Sequence, residues 1–223
     1  NTHSRRGKSF GYQILGFGSG GGASPYMEAS GGTVTEDGDY KVHKFTSNGT
    51  FTVDKAAVDP SAGQGIRYLI VAGGGGAYSI SQARGNTSSF NSLDTTGGGN
   101  GRHNSATGNG WTGGAGGGGE QGTGGTGNIV GYSPPEGSVG GNGSTSGPRA
   151  PGGGGGGGAS GTASGPGATG GAGTQSDILN GTATYYAGGG GGGSHGPGFG
   201  QPPGGVGGQG GGGRGTPGGQ APG

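Results

Sequence analysis

The sequence predicts a mostly irregular and β protein, in which a small N-terminal antiparallel β module precedes a bundle of polyglycine-II helices with connecting loops. Two observations predict this architecture. Glycine makes up 75 of the 223 residues, against an average of about 7 %. Its distribution is also uneven, because 13 glycines precede Gly73 and the other 62 lie in the 151 residues that begin there, about 41 % of that region. Two regions that pack in different ways are therefore expected.

Composition excludes several classes of protein. Only 23 % of the residues are hydrophobic and 7 % aromatic, which is too little side-chain volume for the core of a conventional globular enzyme of this length. The net charge of +1 selects neither nucleic acid nor an anionic membrane, and no apolar run approaches the roughly 20 residues that span a bilayer. We therefore expect no catalytic residues, no cofactor, no nucleic-acid partner and no membrane insertion.

We divide the chain into an N-terminal attachment segment over residues 1–29, a small antiparallel β module over residues 30–72 and a glycine-rich polyglycine-II domain over residues 73–223. The first residue is Asn rather than Met, which suggests that an N-terminal portion is missing, and the first residues lack the apolar stretch of a secretory signal. Charge supports the boundary near Gly73, because 7 of the 11 basic and 6 of the 10 acidic residues precede it.

Turn signals in the β module predict its strands. Thr33–Thr35 leads through the turn signal Glu36–Asp39 into a strand over Tyr40–Phe45. The Asn48-Gly49 pair, which is favoured in two-residue hairpin loops, then predicts that Phe51–Val53 returns as the partner of that strand. The sequence thus predicts a hairpin closed at Asn48-Gly49.

Two further strands are predicted from apolar segments. Ile66–Ala72 is the most apolar segment of the chain and is expected to be a central strand. Tyr12–Leu15 is expected to be another. Four or five short strands make a module of marginal stability, which we expect to pack against a partner or against the region that follows it.

Three interpretations of the glycine-rich region compete. Collagen requires Gly at every third position without interruption, whereas the frame that runs from Gly110 to Gly125 breaks at Asn128. A disordered Gly- and Ser-rich linker is the second interpretation, although linkers usually lack the aromatic residues spaced through this region. The third is a bundle of polyproline-II-type helices made of glycine, with three residues per turn and a rise of about 3.1 Å.

The third interpretation accounts best for the broken triplets. A polyproline-II-type helix points its N–H and C=O groups outwards, and glycine lets neighbouring helices approach closely enough for these groups to bond across helices. A helix inside such a bundle must be glycine on all sides, as in residues 152–158 and 188–193. An edge helix needs glycine only on its inner side, so interrupted frames are expected.

Motifs for chemistry are absent or weak. Matches to G-x-G-x-x-G arise by chance in a region this rich in glycine and have no strand-then-helix context. The four histidines, His3, His43, His103 and His195, are scattered and have no Cys partners, since the chain contains none. We therefore predict no metal site and interpret the protein as a non-enzyme.

The candidate contact residues are aromatic side chains that lie between the glycine runs. Tyr and Trp bring large, stiff contact area at low entropic cost, and the Ser, Gly and Asn beside them supply adaptable hydrogen bonds. An equally weighted alternative is that these side chains pack against the flanks of the bundle. The candidate binding residues are Tyr78, Phe90, Trp111, Tyr132, Tyr185, Tyr186 and Phe199.

Four motifs follow one another from the β module to the first glycine run. They are Gly31–Val34, Gly38–Phe45, Gly49–Val53 and Tyr68–Gly76. In this order they resemble the glycine-rich module that recurs in tail-fibre and other virion proteins of bacteriophages. The glycine-rich region beyond them is similar in style to tail-fibre-tip adhesins of T-even-like phages. The resemblance implies a rigid sandwich of stacked polyglycine helices whose variable end loops bind the bacterial surface. It transfers no receptor-binding residue one to one.

The resemblance implies a virion structural and adhesion protein on an external appendage. Its implied partners are other virion proteins of the fibre or capsid, in an oligomeric assembly, and a bacterial surface receptor, either an outer-membrane protein or a glycan. The main alternative is a purely structural role as a fibre shaft, capsid decoration or extracellular filament subunit. Ice binding is a third interpretation, raised by small proteins that stack similar helices, and the bulky aromatic residues count against it.

Overall fold

The chain divides into two compact units, Asn1–Ile66 and Arg67–Gly223, called unit 1 and unit 2 below. The computed structural model describes residues 26–57, 65–76, 83–102, 108–144, 154, 156–162, 168–193 and 204–216. These residues form eight short strands in four antiparallel pairs, and no helix occurs among them. The prediction of a mostly irregular and β protein with small antiparallel strand pairs is confirmed at this level.

Unit 1 contains two antiparallel pairs. Strands β2 (Thr33–Asp37) and β3 (Tyr40–Lys44) form a hairpin, and β1 (Glu28–Ser30) pairs with β4 (Thr52–Lys55). The hairpin is closed by Gly38-Asp39, because Asp37 pairs directly with Tyr40 and Gly38 has a φ of +57°. A positive φ is what the two-residue turns of tight hairpins require.

The predicted partner of β3 was wrong. Asn48-Gly49 does not close a hairpin, since β3 pairs with β2 and the chain after Phe45 crosses to β1. The Phe45 ring explains this course, because it lies over glycines before β2 and before β4. A Cβ added to Gly32 or to Gly49 would lie 3.1 Å or 2.9 Å from that ring. These glycines leave room for an aromatic side chain instead of forming a second turn.

The predicted central strand over Ile66–Ala72 was also wrong, because residues 65–76 contain no strand. The segment is held by side chains of unit 2 rather than by a ladder. Tyr68 contacts Phe90 with ring centroids 6.0 Å apart, and the Ser88 hydroxyl donates to the Val71 carbonyl at 2.8 Å. Apolar content alone therefore did not predict its pairing. The strand predicted at Tyr12–Leu15 lies outside the described residues.

Unit 2 contains two short hairpins that the sequence did not predict. The first pairs β5 (Ser88–Phe90) with β6 (Leu93–Thr95), and the second pairs β7 (Thr174–Ser176) with β8 (Thr184–Tyr186). The loop of the first hairpin is Asn91-Ser92, with φ values of +48° and +64°. A pair of residues at positive φ gives the tight turn that follows the twist of two strands.

Much of the remaining described part of unit 2 consists of extended segments whose backbones bond to one another at intervals of three residues. Gly99 N–H donates to the Ala115 carbonyl at 2.8 Å, and three residues later Arg102 N–H donates to Gly118 at 3.1 Å. In the second half of the unit, Gly188 and Gly191 donate to Gly210 and Gly213 at 3.0 and 2.8 Å. Each segment thus forms its next hydrogen bond to the same neighbouring segment three residues later.

The interior of unit 2 is built of glycine. Every buried residue in the described part of the chain is glycine except Asn100, Glu120 and Ala168. Segments approach so closely that a Cβ on Gly117 would lie 2.0 Å from the Asn100 carbonyl oxygen. Backbone groups, rather than side chains, therefore fill the interior.

Three loop regions of unit 2 lie at one end of it, opposite the chain reversal at residues 120–122. The segment after β6 and the segment after Gly114 are parallel, as the bonds of Gly99 to Ala115 and Arg102 to Gly118 require. The next segment is antiparallel and returns to this end, since Gly125 N–H donates to Gly117 and Asn128 N–H to Gly114. We call this end, which carries β5–β6, residues 128–136 and β7–β8, the hairpin end.

Candidate functional site

The loop over residues 128–136 is organised by Asn128. The Asn128 side-chain oxygen accepts hydrogen bonds from Tyr132 N–H at 3.1 Å and Glu136 N–H at 3.3 Å, and its amide nitrogen donates to the Tyr132 carbonyl at 3.1 Å. Asn128 has a φ of +48°, which Asn tolerates better than most residues. Tyr132 is therefore presented at a fixed position with 39 % of its surface exposed.

Glu136 connects this loop to the β5–β6 hairpin. Its carboxylate oxygen Oε1 accepts a hydrogen bond from Thr96 N–H at 2.7 Å, across 40 residues of sequence. An ionised acceptor makes this a strong, charge-assisted bond. Two of the loops at the hairpin end are thus held in one arrangement.

The β7–β8 hairpin is connected to the start of unit 2 by an exposed ion pair. An Arg67 guanidinium nitrogen donates to Asp177 Oδ1, and both side chains are about half exposed to solvent. The hydrogen bond from Arg67, together with backbone hydrogen bonding and the positive charge of the guanidinium, lowers the pKa of Asp177 below its usual 3.8. The first residues of unit 2 therefore lie at the hairpin end.

Phe90, at the tip of β5, lies at this same end and is only partly buried. Its contact with Tyr68 gives it the packing role that the alternative interpretation described. The same end carries the exposed apolar side chains Leu93, Ile129 and Val130, of which Val130 is 56 % exposed. Phe90 is therefore packed, whereas these side chains are open to solvent.

Tyr185 and Tyr186 belong to β8 and are both half-buried. The backbone of Tyr186 is enclosed by glycine, because a Cβ on Gly173 would lie 1.8 Å from its carbonyl oxygen and one on Gly210 would lie 2.9 Å from its nitrogen. The two tyrosines are therefore fixed at the hairpin end by their main chain.

Trp111 does not lie in a loop but within an extended segment on the flank of unit 2. Its backbone N–H donates to the Asn100 carbonyl at 3.0 Å, and its backbone carbonyl accepts from Gly117 N–H at 2.9 Å. The Arg102 guanidinium lies over the indole ring, 5.0 Å from the centroid. This distance is within the range of a cation–π interaction.

A groove of about 460 Å³ runs beside this pair. Its remaining lining comes from two neighbouring segments and includes Thr112, Thr123 and Thr126. The Thr112 hydroxyl is already used, since it accepts from the Arg84 guanidinium at 3.1 Å. The side-chain oxygen of Asn109 is already used, since it accepts from Thr123 N–H at 3.0 Å. The groove lining is Arg102, Asn109, Gly110, Trp111, Thr112, Thr123, Gly124, Gly125 and Thr126.

The structure separates the candidate binding residues into two places. Phe90, Tyr132, Tyr185 and Tyr186 lie at the hairpin end, whereas Trp111 lies in the flank groove. The other two candidates, Tyr78 and Phe199, lie outside the described residues.

Sequence reasoning missed the polar residues that organise these places, Arg67, Arg102, Asn128, Glu136 and Asp177. A usable signal was their scarcity, because unit 2 has few charged residues and each one stands out against the glycine.

Within the part of the chain that the structure describes, no group of three or more His, Asp or Glu side chains could hold a metal ion. The same residues include no helix long and apolar enough to cross a membrane. Comparison of the chain with protein-family models, curated proteins and solved structures gave no significant match.

Proposed function

We propose that this protein is a structural and adhesion protein of a bacteriophage particle, at a tail-fibre tip or a similar external appendage. In this proposal the extended segments of unit 2 are polyglycine-II helices. Hydrogen bonds that return to the same neighbour every three residues support that assignment, because a polyproline-II-type helix has three residues per turn. The scaffold would then hold its loops rigidly for contact with a bacterial surface.

One observation carries the proposal. Glycine fills the interior of unit 2, and large side chains such as Tyr132 and Val130 remain on the outside. A scaffold that needs no side chains in its core leaves its loops free to carry whatever residues a target surface demands. A glycine interior with large side chains on the outside suits an adhesion protein better than an enzyme, which needs polar groups converging in a pocket.

Unit 1 is proposed to attach the protein to other virion proteins. It buries little apolar surface, since Tyr26 and Tyr40 are 63 % and 66 % exposed and Val34 and Val53 are 46 % and 45 % exposed. Two-stranded sheets of this kind are marginal alone. Contact with a fibre or capsid protein, or with further copies of the chain, would cover these side chains.

Adsorption to bacteria tests the proposal. The purified chain is incubated with a panel of bacterial strains and with their outer-membrane extracts, and bound protein is measured after washing. We expect saturable binding to some strains, protection of those strains from phage, and weaker binding by Tyr132→Ala with an unchanged melting temperature. Absence of binding to every strain would instead support the purely structural alternative, a fibre shaft, decoration protein or filament subunit.

A further inference from the structure

We propose that the groove beside Arg102 and Trp111 is a binding site for an acidic saccharide, a sugar that carries a carboxylate or a phosphate group. The inference names a receptor class for the adhesion function and rests on that proposed function for its biological meaning. Binding of the saccharide itself can be measured independently of adhesion.

The first argument is the charge of Arg102. The chain has 10 acidic residues, and among the described residues none forms an ion pair with Arg102, since the ion pairs there join Lys55 to Glu28 and Arg67 to Asp177. Arg102 is also partly buried and held over the Trp111 ring. A guanidinium fixed in place without a counter-anion favours a ligand that supplies one, and its planar fork matches carboxylate and phosphate.

The second argument is that the Arg102 and Trp111 side chains each have an unused hydrogen-bond donor. Arg102 Nε and Trp111 Nε1 are both buried and have no hydrogen-bond partner within the described part of the chain. Buried polar groups normally have partners, and leaving one unpaired is costly. Small movements of the Arg102 side chain on ligand binding would bring its Nε–H to an anionic oxygen.

The third argument is the mixed chemistry of the walls. Trp111 lines the groove, and the part of its indole that Arg102 does not cover gives an apolar surface against which the C–H groups of a sugar ring can pack. The hydroxyls of Thr123 and Thr126, both on exposed residues, can donate to or accept from sugar hydroxyls. The groove volume of about 460 Å³ lies within the range of small-molecule sites, roughly 300–1,000 Å³.

The groove is also rigid. Trp111 is bonded through its backbone to segments on two sides, and Gly125 can take no side chain, since a Cβ there would lie 2.0 Å from the Trp111 carbonyl oxygen. The backbone around Trp111 is therefore already in place, and only the Arg102 side chain has to move when a ligand binds, which keeps the entropic cost small.

Trp111 supplies the readout, because it is the single tryptophan of the chain. The full-length protein is titrated with three probes, a galacturonic acid oligosaccharide, glucose 1-phosphate and a neutral galactose oligosaccharide, while tryptophan fluorescence is recorded. We expect a saturable change with at least one acidic probe and none with the neutral one. The carboxylate and phosphate arms distinguish the two sources of negative charge.

Variants test the role of the guanidinium. Arg102→Gln should weaken binding of the acidic probe at least tenfold, and Arg102→Lys should recover only part of it, because Lys lacks the bidentate fork. Lys41→Gln is the matched control, since it removes one positive charge from unit 1 and should leave binding unchanged. Binding should also weaken as salt is raised.

Equal binding by wild type and Arg102→Gln, or no fluorescence response to either acidic probe, would overturn the inference. If Arg102→Gln lowers the melting temperature, Arg102→Lys and the salt series still decide the matter. Bacterial adsorption by a wild-type protein that binds neither acidic probe would refute the groove site and leave the adhesion function standing. Saccharide binding without bacterial adsorption would support the groove site and contradict the adhesion function.

Discussion

Gly191 lies so close to Gly205 that a Cβ on Gly191 would be 2.1 Å from the Gly205 carbonyl oxygen. The contact forms where a backbone hydrogen bond joins two glycine segments, with Gly205 N–H donating to the Gly192 carbonyl at 2.7 Å. Gly190, the residue before Gly191, is exposed, and a Cβ there would make only an ordinary van der Waals contact, at 3.8 Å from the Gly213 carbonyl oxygen. A side chain is thus excluded at Gly191 and accommodated at Gly190.

Gly191→Ala should therefore destabilise unit 2 by about 1–3 kcal/mol, the usual cost of overpacking, because the obstructing atom is backbone and cannot turn away. Gly190→Ala should change stability by less than about 0.5 kcal/mol, as exposed substitutions do. Thermal unfolding of the two variants measures the difference. Equal melting temperatures would refute the role of glycine as the packing element.

Asn128→Ala should disorganise the loop that presents Tyr132. The substitution removes three side-chain hydrogen bonds and leaves Ala at a φ of +48°, and each of these changes costs on the order of 1 kcal/mol. Hydrogen exchange at the Tyr132 and Glu136 amides should become faster.

Asn128→Gly is the matched control for the backbone. It accepts the positive φ but lacks the side chain, so its stability should fall between those of the wild type and Asn128→Ala. If Asn128→Gly is as unstable as Asn128→Ala, the backbone conformation contributes nothing measurable.

Glu136→Ala should separate the 128–136 loop from the β5–β6 hairpin. The Thr96 N–H would lose its acceptor, which currently lies 2.7 Å away, and this loss should cost about 1–3 kcal/mol because the acceptor is ionised. The measurement is hydrogen exchange at Thr96. Glu136→Gln keeps an oxygen acceptor and should protect Thr96 nearly as well as the wild type, and protection that persists in Glu136→Ala would contradict the assignment.

The ion pair between Arg67 and Asp177 should give a small acid-sensitive contribution to stability. Hydrogen bonding from Arg67 lowers the pKa of Asp177 in the folded protein. The contribution is therefore complete above the unfolded pKa of about 3.9 and is lost as the pH falls through the lower folded pKa. A carboxyl NMR titration should place the pKa of Asp177 below 3.8, its reference value.

Arg67→Gln should move the pKa of Asp177 back towards its ordinary value. Salt should have a similar effect, because both side chains of the pair are exposed and their attraction is screened. A pKa of Asp177 that is the same in Arg67→Gln and in the wild type at low salt would show that the guanidinium is not its cause.

Some of the fold followed from local sequence. The turn signal at Gly38-Asp39 correctly led from the β2 region into β3, because a residue at positive φ specifies a tight turn on its own. The Asn48-Gly49 pair carried the same kind of signal and misled, since the Phe45 ring occupies the space that its glycine leaves. Local turn chemistry was outweighed there by packing.

The candidate site was predictable only in part. Aromatic residues stood out against glycine, and Tyr132, Tyr185 and Tyr186 were found at the hairpin end. The pairing of Arg102 with Trp111 could not be read from the sequence, because the two residues lie on different segments that meet only after the chain has reversed. The same holds for Glu136 and Thr96, which are 40 residues apart.

The sequence by itself determined that glycine, not side chains, would have to form the interior of most of this protein. With 75 glycines and 23 % hydrophobic residues, no other material was present in sufficient amount. The tertiary structure alone decided which segments are neighbours. Glycine backbones are alike, so no side chain encodes the partner of a given segment. The choice follows instead from chain direction, from the loops that close each reversal, and from the large apolar side chains, none of which is buried among the described residues.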